Sequence, residues 1–252
     1  MSSVYEWYKS YDNLYHGSSI PEDRAQLLLK LVEGIQAKRI LDVGCGDGSL
    51  TIRFRDKLAA SETVGLEISE DGVSIAQGRG VDARVVNLDT DVFPFENDSF
   101  DFILCAEVIE HLFDPDHLLQ EMSRVLKSSG ILLLTTPNIA SWYDRFALLL
   151  GFQPISIPVS LGHPETGRPF GLKSNAGREH IRFFTQRALK ETLLRYELTP
   201  VKALGWMKEP PKFESSAVYL VRFMNRIFSH AGRLCTTSIM VCRKTEARAR
   251  PV

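Results

Sequence analysis

Ile40-Leu41-Asp42-Val43-Gly44-Cys45-Gly46-Asp47-Gly48-Ser49-Leu50 decides the fold of this chain. The apolar start reads as a buried strand, the alternating glycines as a tight turn, and Ser49 as the opening of a helix. Glycine turns sharply at positive φ and has no Cβ, so a ligand can lie against bare backbone at the helix N-terminus. In an open parallel sheet that place is the crevice at the carboxyl ends of the strands. The stretch predicts a site for a nucleotide-like cofactor.

Outward from it, short apolar runs alternate with helical patterns. Strands are predicted at Arg39–Gly44, Thr63–Ile68, Ala83–Leu88, Phe100–Ala106 and Gly130–Thr136. Helices are predicted at Ser49–Leu58, Glu70–Arg79 and Pro115–Leu126, and another begins after Pro21. Alternation at this spacing means a parallel sheet covered on both faces. The pattern lapses between Ile139 and Glu179, apart from a helix-like Trp142–Leu150. It resumes with a helix at Thr185–Tyr196, a strand near Leu198–Gly205, a helix at Ala217–Phe228 and a strand at Thr237–Arg243. The expected organisation is an N-terminal arm or flap at 1–20, rich in Tyr5, Trp7, Tyr8, Tyr11 and Tyr15. One domain follows at 21–244 with a lid insertion at about 139–180, and a disordered tail covers 245–252.

At 252 residues, 44% hydrophobic and 24% charged, the chain suits one globular domain with a sizeable core. A formal net charge of -1 gives no global pull toward nucleic acid or anionic membrane. The four cysteines, Cys45, Cys105, Cys235 and Cys242, have no CxxC spacing and read as reduced thiols of a cytoplasmic protein. The first residues lack the pattern of a signal peptide, and no segment reaches the roughly 20 apolar residues of a membrane span.

Two cofactor classes use this strand–loop–helix. A dinucleotide site prefers G-x-G-x-x-G, with a pyrophosphate on the helix N-terminus. Here the order is Gly44-x-Gly46-x-Gly48, flanked by Asp42 and Asp47, and carboxylates oppose a pyrophosphate. A sulfonium carrying an α-amino group fits better. Glu67, at the next strand tip, can accept from ribose hydroxyls and serves either cofactor.

The motifs that follow in order discriminate: Val64–Ser69, Asn87-Leu88-Asp89, Phe93-Pro94-Phe95, Asp98-Ser99-Phe100-Asp101, Glu107–Leu112, Arg124-Val125-Leu126-Lys127 and Thr135-Thr136-Pro137-Asn138. Over about residues 20–205 the chain resembles the class I S-adenosylmethionine-dependent methyltransferases. Within them it is most similar to ubiquinone-biosynthesis O-methyltransferases and to the methionine-biosynthesis-associated methyltransferase-like proteins. The fold so expected is α/β: a Rossmann-like seven-stranded, mostly parallel sheet in the order 3-2-1-4-5-7-6, its last strand antiparallel, with helices on both faces. The resemblance implies S-adenosyl-L-methionine as cofactor. Gly44, Gly46 and the Cys45 backbone would line its methionine part, and Asp42 would orient the amino group. Glu67 would hold the ribose, Ile68 and Leu88 would pack on the adenine, and Asp89 would bond its amino group. Cys105 and Ala106 would offer backbone carbonyls near the sulfonium. Ser128-Ser129-Gly130 stands where the family has Pro-Gly-Gly, which changes a turn.

Glu107-Val108-Ile109-Glu110-His111 follows the fourth strand. On a helical turn positions i, i+3 and i+4 share a face, which would converge two carboxylates and an imidazole suited to Mg²⁺, Mn²⁺ or Zn²⁺. The resemblance adds that ubiquinone-pathway O-methyltransferases and plant small-RNA 2′-O-methyltransferases carry such a motif as a metal site, the latter with a later histidine. His180 stands at that place. Glu107, Glu110, His111 and His180 are therefore the expected metal ligands, with Glu107, Glu110 and His111 as the catalytic set. His111, if not a ligand, would serve as general base. The plainer alternative keeps Glu110 and His111 as backbone-bonding residues that position the loop.

On the acceptor side the insertion mixes Trp142, Phe146, Leu148, Leu149, Phe152, Ile155 and Ile157 with Arg168, Lys173 and Arg178. It reads as a cap over an amphipathic or anionic small molecule, and its leucine-rich part as a peripheral membrane contact. Val218–Phe228, with Arg222 and Arg226 on one side, reads as a helix covering the sheet rather than a membrane anchor. The expected activity is O-methylation of a small-molecule hydroxyl by a monomer or homodimer. The alternatives are metal-independent N- or C-methylation and a non-catalytic partner of a biosynthetic enzyme. An RNA substrate ranks lower, since no RNA-binding module or basic run is visible.

Overall fold

In the computed structural model of the chain, residues 20–160, 162–169, 180–208 and 216–245 are described. The N-terminal aromatic run, the far tail, Lys173 and Arg178 lie outside the described residues. Helix α1 (Glu22–Leu31) starts behind Pro21, and β1 (Arg39–Val43) leads into the glycine turn. Then come α2 (Ser49–Leu58), β2 (Glu62–Glu67), α3 (Glu70–Gly78), β3 (Asp82–Val85) and β4 (Phe100–Ala106). A 3-10 turn at Ile109–His111 precedes α4 (Pro115–Val125) and β5 (Leu126–Pro137). Helix α5 (Trp142–Leu149), α6 (Gln186–Arg195), β6 (Leu198–Trp206), α7 (Ser216–Phe228) and β7 (Thr237–Lys244) complete the chain.

The helix starts follow from capping. Ser69, Asp114, Ser141 and Thr185 each accept a backbone N–H from the first turn of α3, α4, α5 and α6. Pro115 occupies the first turn of α4, where a missing N–H costs nothing.

The strands lie in the order β3-β2-β1-β4-β5-β7-β6, mostly parallel, with β6 and β7 antiparallel. β1 pairs in parallel with β2 and β4, so Asp42 stands opposite both Gly65 and Leu104. β4 is buried continuously from Phe102 to Cys105, as a strand covered on both faces must be. One expectation is corrected: Ser128-Ser129-Gly130 is not a turn but the early part of β5, which starts directly at the end of α4. The serines are exposed, and a Cβ on Gly130 would come within 2.5 Å of Leu126 Cδ1.

The chain divides into two compact units. The first holds the described residues up to Ala106, Asp114–Leu133, and those from Arg243 on; the second holds Glu107–Phe113 and those of Leu134–Cys242. In the first, Phe54 stacks on Phe102 at 5.6 Å among fully buried Leu41, Val43, Leu66 and Leu58. In the second, the buried Asn138 side chain donates to the carbonyls of Arg233 and Cys235. There too a Cβ on Gly205 would fall 2.4 Å from the Gly232 carbonyl, so the strand needs glycine at that crossing. Among the described residues, no helix is long and apolar enough to cross a membrane.

Candidate active site

The turn after β1 is built as its glycines require: Gly44, Gly46 and Gly48 have φ of 74°, 53° and 75°. Its donors point inward. Gly44 N–H and Cys45 N–H both donate to the Leu66 carbonyl at 2.8 and 3.0 Å, and Gly46 N–H donates to Glu67 Oε2 at 2.9 Å. A phosphate cradle needs such donors turned outward to an anion. This turn instead presents carboxylates, which separates it from a dinucleotide site on geometry rather than on glycine order.

Asp42 is the buried centre of that negative charge, 4% exposed, and Thr51 Oγ1 donates to its Oδ2 at 2.5 Å. Burial pushes the Asp42 carboxyl up to about 7; the Thr51 hydrogen bond opposes the shift and the nearby Glu67 charge adds to it. Glu67 is equally buried, and its Oε1 accepts from Ile68 N–H at 2.8 Å and Ser69 N–H at 3.1 Å. One side chain thus ties the glycine turn to the start of α3. Asp47, read from sequence as a second flanking charge, is instead paired with Arg79 at 2.5 Å, which holds its carboxyl low despite desolvation.

The remaining residues expected to meet the cofactor also lie in the first unit. Leu88 and Asp89 are buried and Ile68 is half-buried. Asp89 Oδ1 accepts from the Asp114 N–H at 2.8 Å, so it also steadies the start of α4. Cys105 is fully buried at the end of β4, with Ala106 partly open beside it. Cys45 packs its sulfur against Gly65, where a Cβ would lie 2.6 Å from Sγ. Burial and the carboxylates of Asp42 and Glu67 push the Cys45 thiol far up, so it is a packing residue and no nucleophile.

In the second unit, Glu110, His111 and His180 each direct one ligand atom into a space where all three lie within 4.8 Å of one another. The imidazole rings of His111 and His180 meet edge to face at 5.0 Å. Burial, and then the neighbouring His111, bring His180 down to about 3, so its imidazole is neutral. The Glu110 carbonyl accepts from both Ile181 N–H and Arg182 N–H at 2.9 Å, which carries His180 to His111. The Arg182 guanidinium donates to the Phe113 carbonyl and closes the same clasp.

Glu107 does not join this group. The expected helical turn is absent: Glu107 has a left-handed φ of 59°, and the helical geometry is confined to Ile109–His111. Thr135 Oγ1 donates to Glu107 Oε1, and Thr136 Oγ1 donates to Glu110 Oε2, both at 2.9 Å. Adjacent residues of β5 point to opposite faces, so the two carboxylates are drawn apart. The hydroxyl partners Thr51, Thr135 and Thr136 were missed in the sequence reading. Their signal is weak, because a threonine in a strand or a first helical turn has ordinary reasons to be there.

A seven-stranded 3-2-1-4-5-7-6 sheet with an acid-lined glycine turn at the tip of its central strand defines the class I methyltransferase fold. Residues 17–203 match the methyltransferase-domain family, and the chain belongs to it. A ubiquinone biosynthesis O-methyltransferase of Idiomarina loihiensis is 28% identical over 118 residues, 44% of this chain and 47% of that protein. One of Xanthomonas oryzae is 35% identical over 106 residues, 40% of this chain and 43% of that protein. The chain thus spans less than half the length of the curated relatives it matches. Among solved structures, a Thermotoga maritima S-adenosylmethionine-dependent methyltransferase superposes with a TM-score of 0.59 at 18% identity. That match covers 96% of this chain and all of the other, and shows the shared fold.

Proposed function

We propose that the protein transfers the methyl group of S-adenosylmethionine to a hydroxyl of a small molecule. The observation that carries the cofactor assignment is the pair of buried carboxylates, Asp42 and Glu67, around a turn whose N–H donors face inward. Such a site suits a cationic ligand and rejects a pyrophosphate. S-adenosylmethionine brings an α-ammonium and an electrophilic methyl on a sulfonium. Asp42 would then meet the ammonium in its ionised form and be relieved of its burial penalty. Gly44 and Gly46 leave the methionine portion room, Glu67 holds the ribose, and Asp89 with Leu88 and Ile68 receives the adenine. The Cys105 and Ala106 carbonyls lie at the strand end that faces the sulfonium in this reading.

Oxygen as the acceptor is supported by Glu110, His111 and His180, which begin four residues after β4 in the chain. Without a bound ion, His111, partly open to solvent, is the group to take the hydroxyl proton; with one, it is a ligand instead. The same three residues fit a divalent cation. One carboxylate and two imidazoles, one of them held neutral, favour Zn²⁺ or Mn²⁺ over Mg²⁺, which prefers oxygen ligands throughout. Such an ion would lower the acceptor's pKa and fix its angle to the methyl group. Four free, buried cysteines support a reducing, cytoplasmic setting.

The test is S-adenosylhomocysteine release from the purified chain supplied with S-adenosylmethionine and a fractionated metabolite extract, with and without EDTA. Turnover that is lost in His111→Ala supports the reading. Cofactor binding without turnover, together with a co-purifying enzyme, would replace it with a non-catalytic partner role.

A further inference from the structure

Helix α7 has two apolar faces, and packing explains one of them. Toward the interior, Val221, Met224 and Phe228 pack on Trp142, Met207 and Cys235. The buried Asn225 fixes the helix rotation: its Oδ1 accepts from Trp142 Nε1 at 2.8 Å, and its Nδ2 donates to the Lys208 carbonyl at 3.1 Å. Toward solvent stand Tyr219, Phe223 and Ile227, 62%, 61% and 50% exposed. Their spacing of four residues puts them on one stripe of the helix surface. Helix α5 meets α7 where Trp142 lies 5.6 Å from Phe228, and its own Phe146 and Leu149 are exposed.

A row of arginine runs beside the α7 stripe. Arg222 and Arg226 are one helical turn apart and, with Met207, Asn225 and Ser229, line a cleft of about 360 Å³. No Asp or Glu occurs anywhere from Ser216 to Lys244. Among the described residues, no carboxylate pairs with either guanidinium. An apolar stripe edged by cations is the layout of a helix lying in a membrane interface, aromatic side chains inward and arginines at headgroup level. A second copy of the chain fits this face poorly, because an isologous contact would bring Arg222 and Arg226 of both copies to one interface with no carboxylate from this stretch to meet them.

We propose that α7 docks the protein on an anionic phospholipid surface, with Tyr219, Phe223 and Ile227 entering the interface and the Arg222–Arg226–Ser229 cleft receiving a lipid phosphate. Tethering of this kind places the enzyme where amphipathic acceptors partition. The proposal does not rest on the methyl-transfer reading, since lipid binding is measured without turnover.

The test is co-sedimentation of the full chain with extruded vesicles, either pure phosphatidylcholine or phosphatidylcholine with one third phosphatidylglycerol, at low and moderate salt. The expected result is binding to the anionic vesicles at least tenfold tighter than to the neutral ones, weakening with salt. Arg222→Ala/Arg226→Ala should lose about 10–30-fold on anionic vesicles, at about a factor of five per cation. Phe223→Ser/Ile227→Ser should lose binding to both. These side chains are exposed, and an unchanged circular dichroism melt verifies that the variants are folded. Wild-type protein left in the supernatant with both vesicle types overturns the proposal. So does equal binding by the double arginine variant. Concentration-dependent dimerisation abolished by Phe223→Ser, with no vesicle binding, would assign the face to a second copy instead.

Discussion

The Thr51 hydroxyl, on the first turn of α2, donates to the buried Asp42 carboxylate of β1 at 2.5 Å. It is a favourable term for the ionised form of a group that burial otherwise drives toward neutrality. Replacing it by the isosteric valine should raise the Asp42 pKa further. Thr51→Val is expected to weaken S-adenosylmethionine binding by about 10–100-fold at pH 7, on the scale of one hydrogen bond to a charged group. Isothermal titration across pH should show the loss shrinking as pH rises and Asp42 ionises regardless.

The Asp42 shift also sets the sign of the pH dependence. Its carboxyl titrates near 3.8 when unfolded and about 7 in the folded chain without ligand. Between those values the folded state holds the extra proton, so this group's contribution to stability falls as pH rises from about 4 to 7. A cationic ligand reverses the preference. Cofactor affinity should therefore rise through pH 7, and binding at pH 6 should release a proton, seen as a buffer-dependent heat. Asp42→Asn should raise the melting temperature of the ligand-free protein at pH 8 by about 2–4 °C, at about 1 kcal/mol. No gain is expected at pH 4, and the variant should lose the pH dependence of binding.

Glu67 joins the glycine turn and α3 through acceptor bonds from Gly46, Ile68 and Ser69. Glu67→Gln keeps the shape but turns an NH₂ toward backbone N–H donors. A loss of about 1–3 kcal/mol is expected even without ligand, read as a lowered denaturant midpoint. A cofactor defect with unchanged stability would contradict the joining role.

Gly65 allows β2 to pass close to Cys45. Gly65→Ala should destabilise the protein by about 1–3 kcal/mol through overpacking. Cys45→Ala in the same chain should recover part of that loss by removing the nearest atom. The measured coupling in a double-mutant cycle should be favourable and of about 1 kcal/mol.

Most of the fold was legible because periodicity and punctuation agreed. Phe100–Ala106 and Ser49–Leu58 fall on the observed bounds, since an apolar run broken only by Asp101 and a glycine-to-serine helix start each carry one local reading. Ser128-Ser129-Gly130 misled because small polar residues mark turns, whereas here they extend β5 on its exposed part. Glu67 and Cys105 stand at or beside the ends of β2 and β4, where periodicity places them. The Glu110–His111–His180 group was only half legible. His180 reaches His111 through the Glu110 carbonyl, and no spacing rule encodes a backbone acceptor.

Glu107 shows the physical limit most clearly. Its spacing from Glu110 suggests one helical face, but the left-handed φ of 59° at Glu107 breaks the helix before it begins. Thr135 and Thr136 then hold the two carboxylates on opposite faces of β5. This separates their roles experimentally. Glu110→Gln removes the one carboxylate of the Glu110–His111–His180 group and should weaken Zn²⁺ or Mn²⁺ binding by about 100-fold or more, beyond the 10–100-fold typical of an outer-shell partner. Thr136→Val, which removes the hydroxyl that donates to Glu110 Oε2, should cost about tenfold. Glu107→Gln should leave metal affinity within about threefold of wild type, and its side-chain carbonyl can still accept from the Thr135 hydroxyl. Equal loss of metal in Glu107→Gln and Glu110→Gln would mean that both carboxylates meet the ion, and that the turn rearranges into the helical form when it binds.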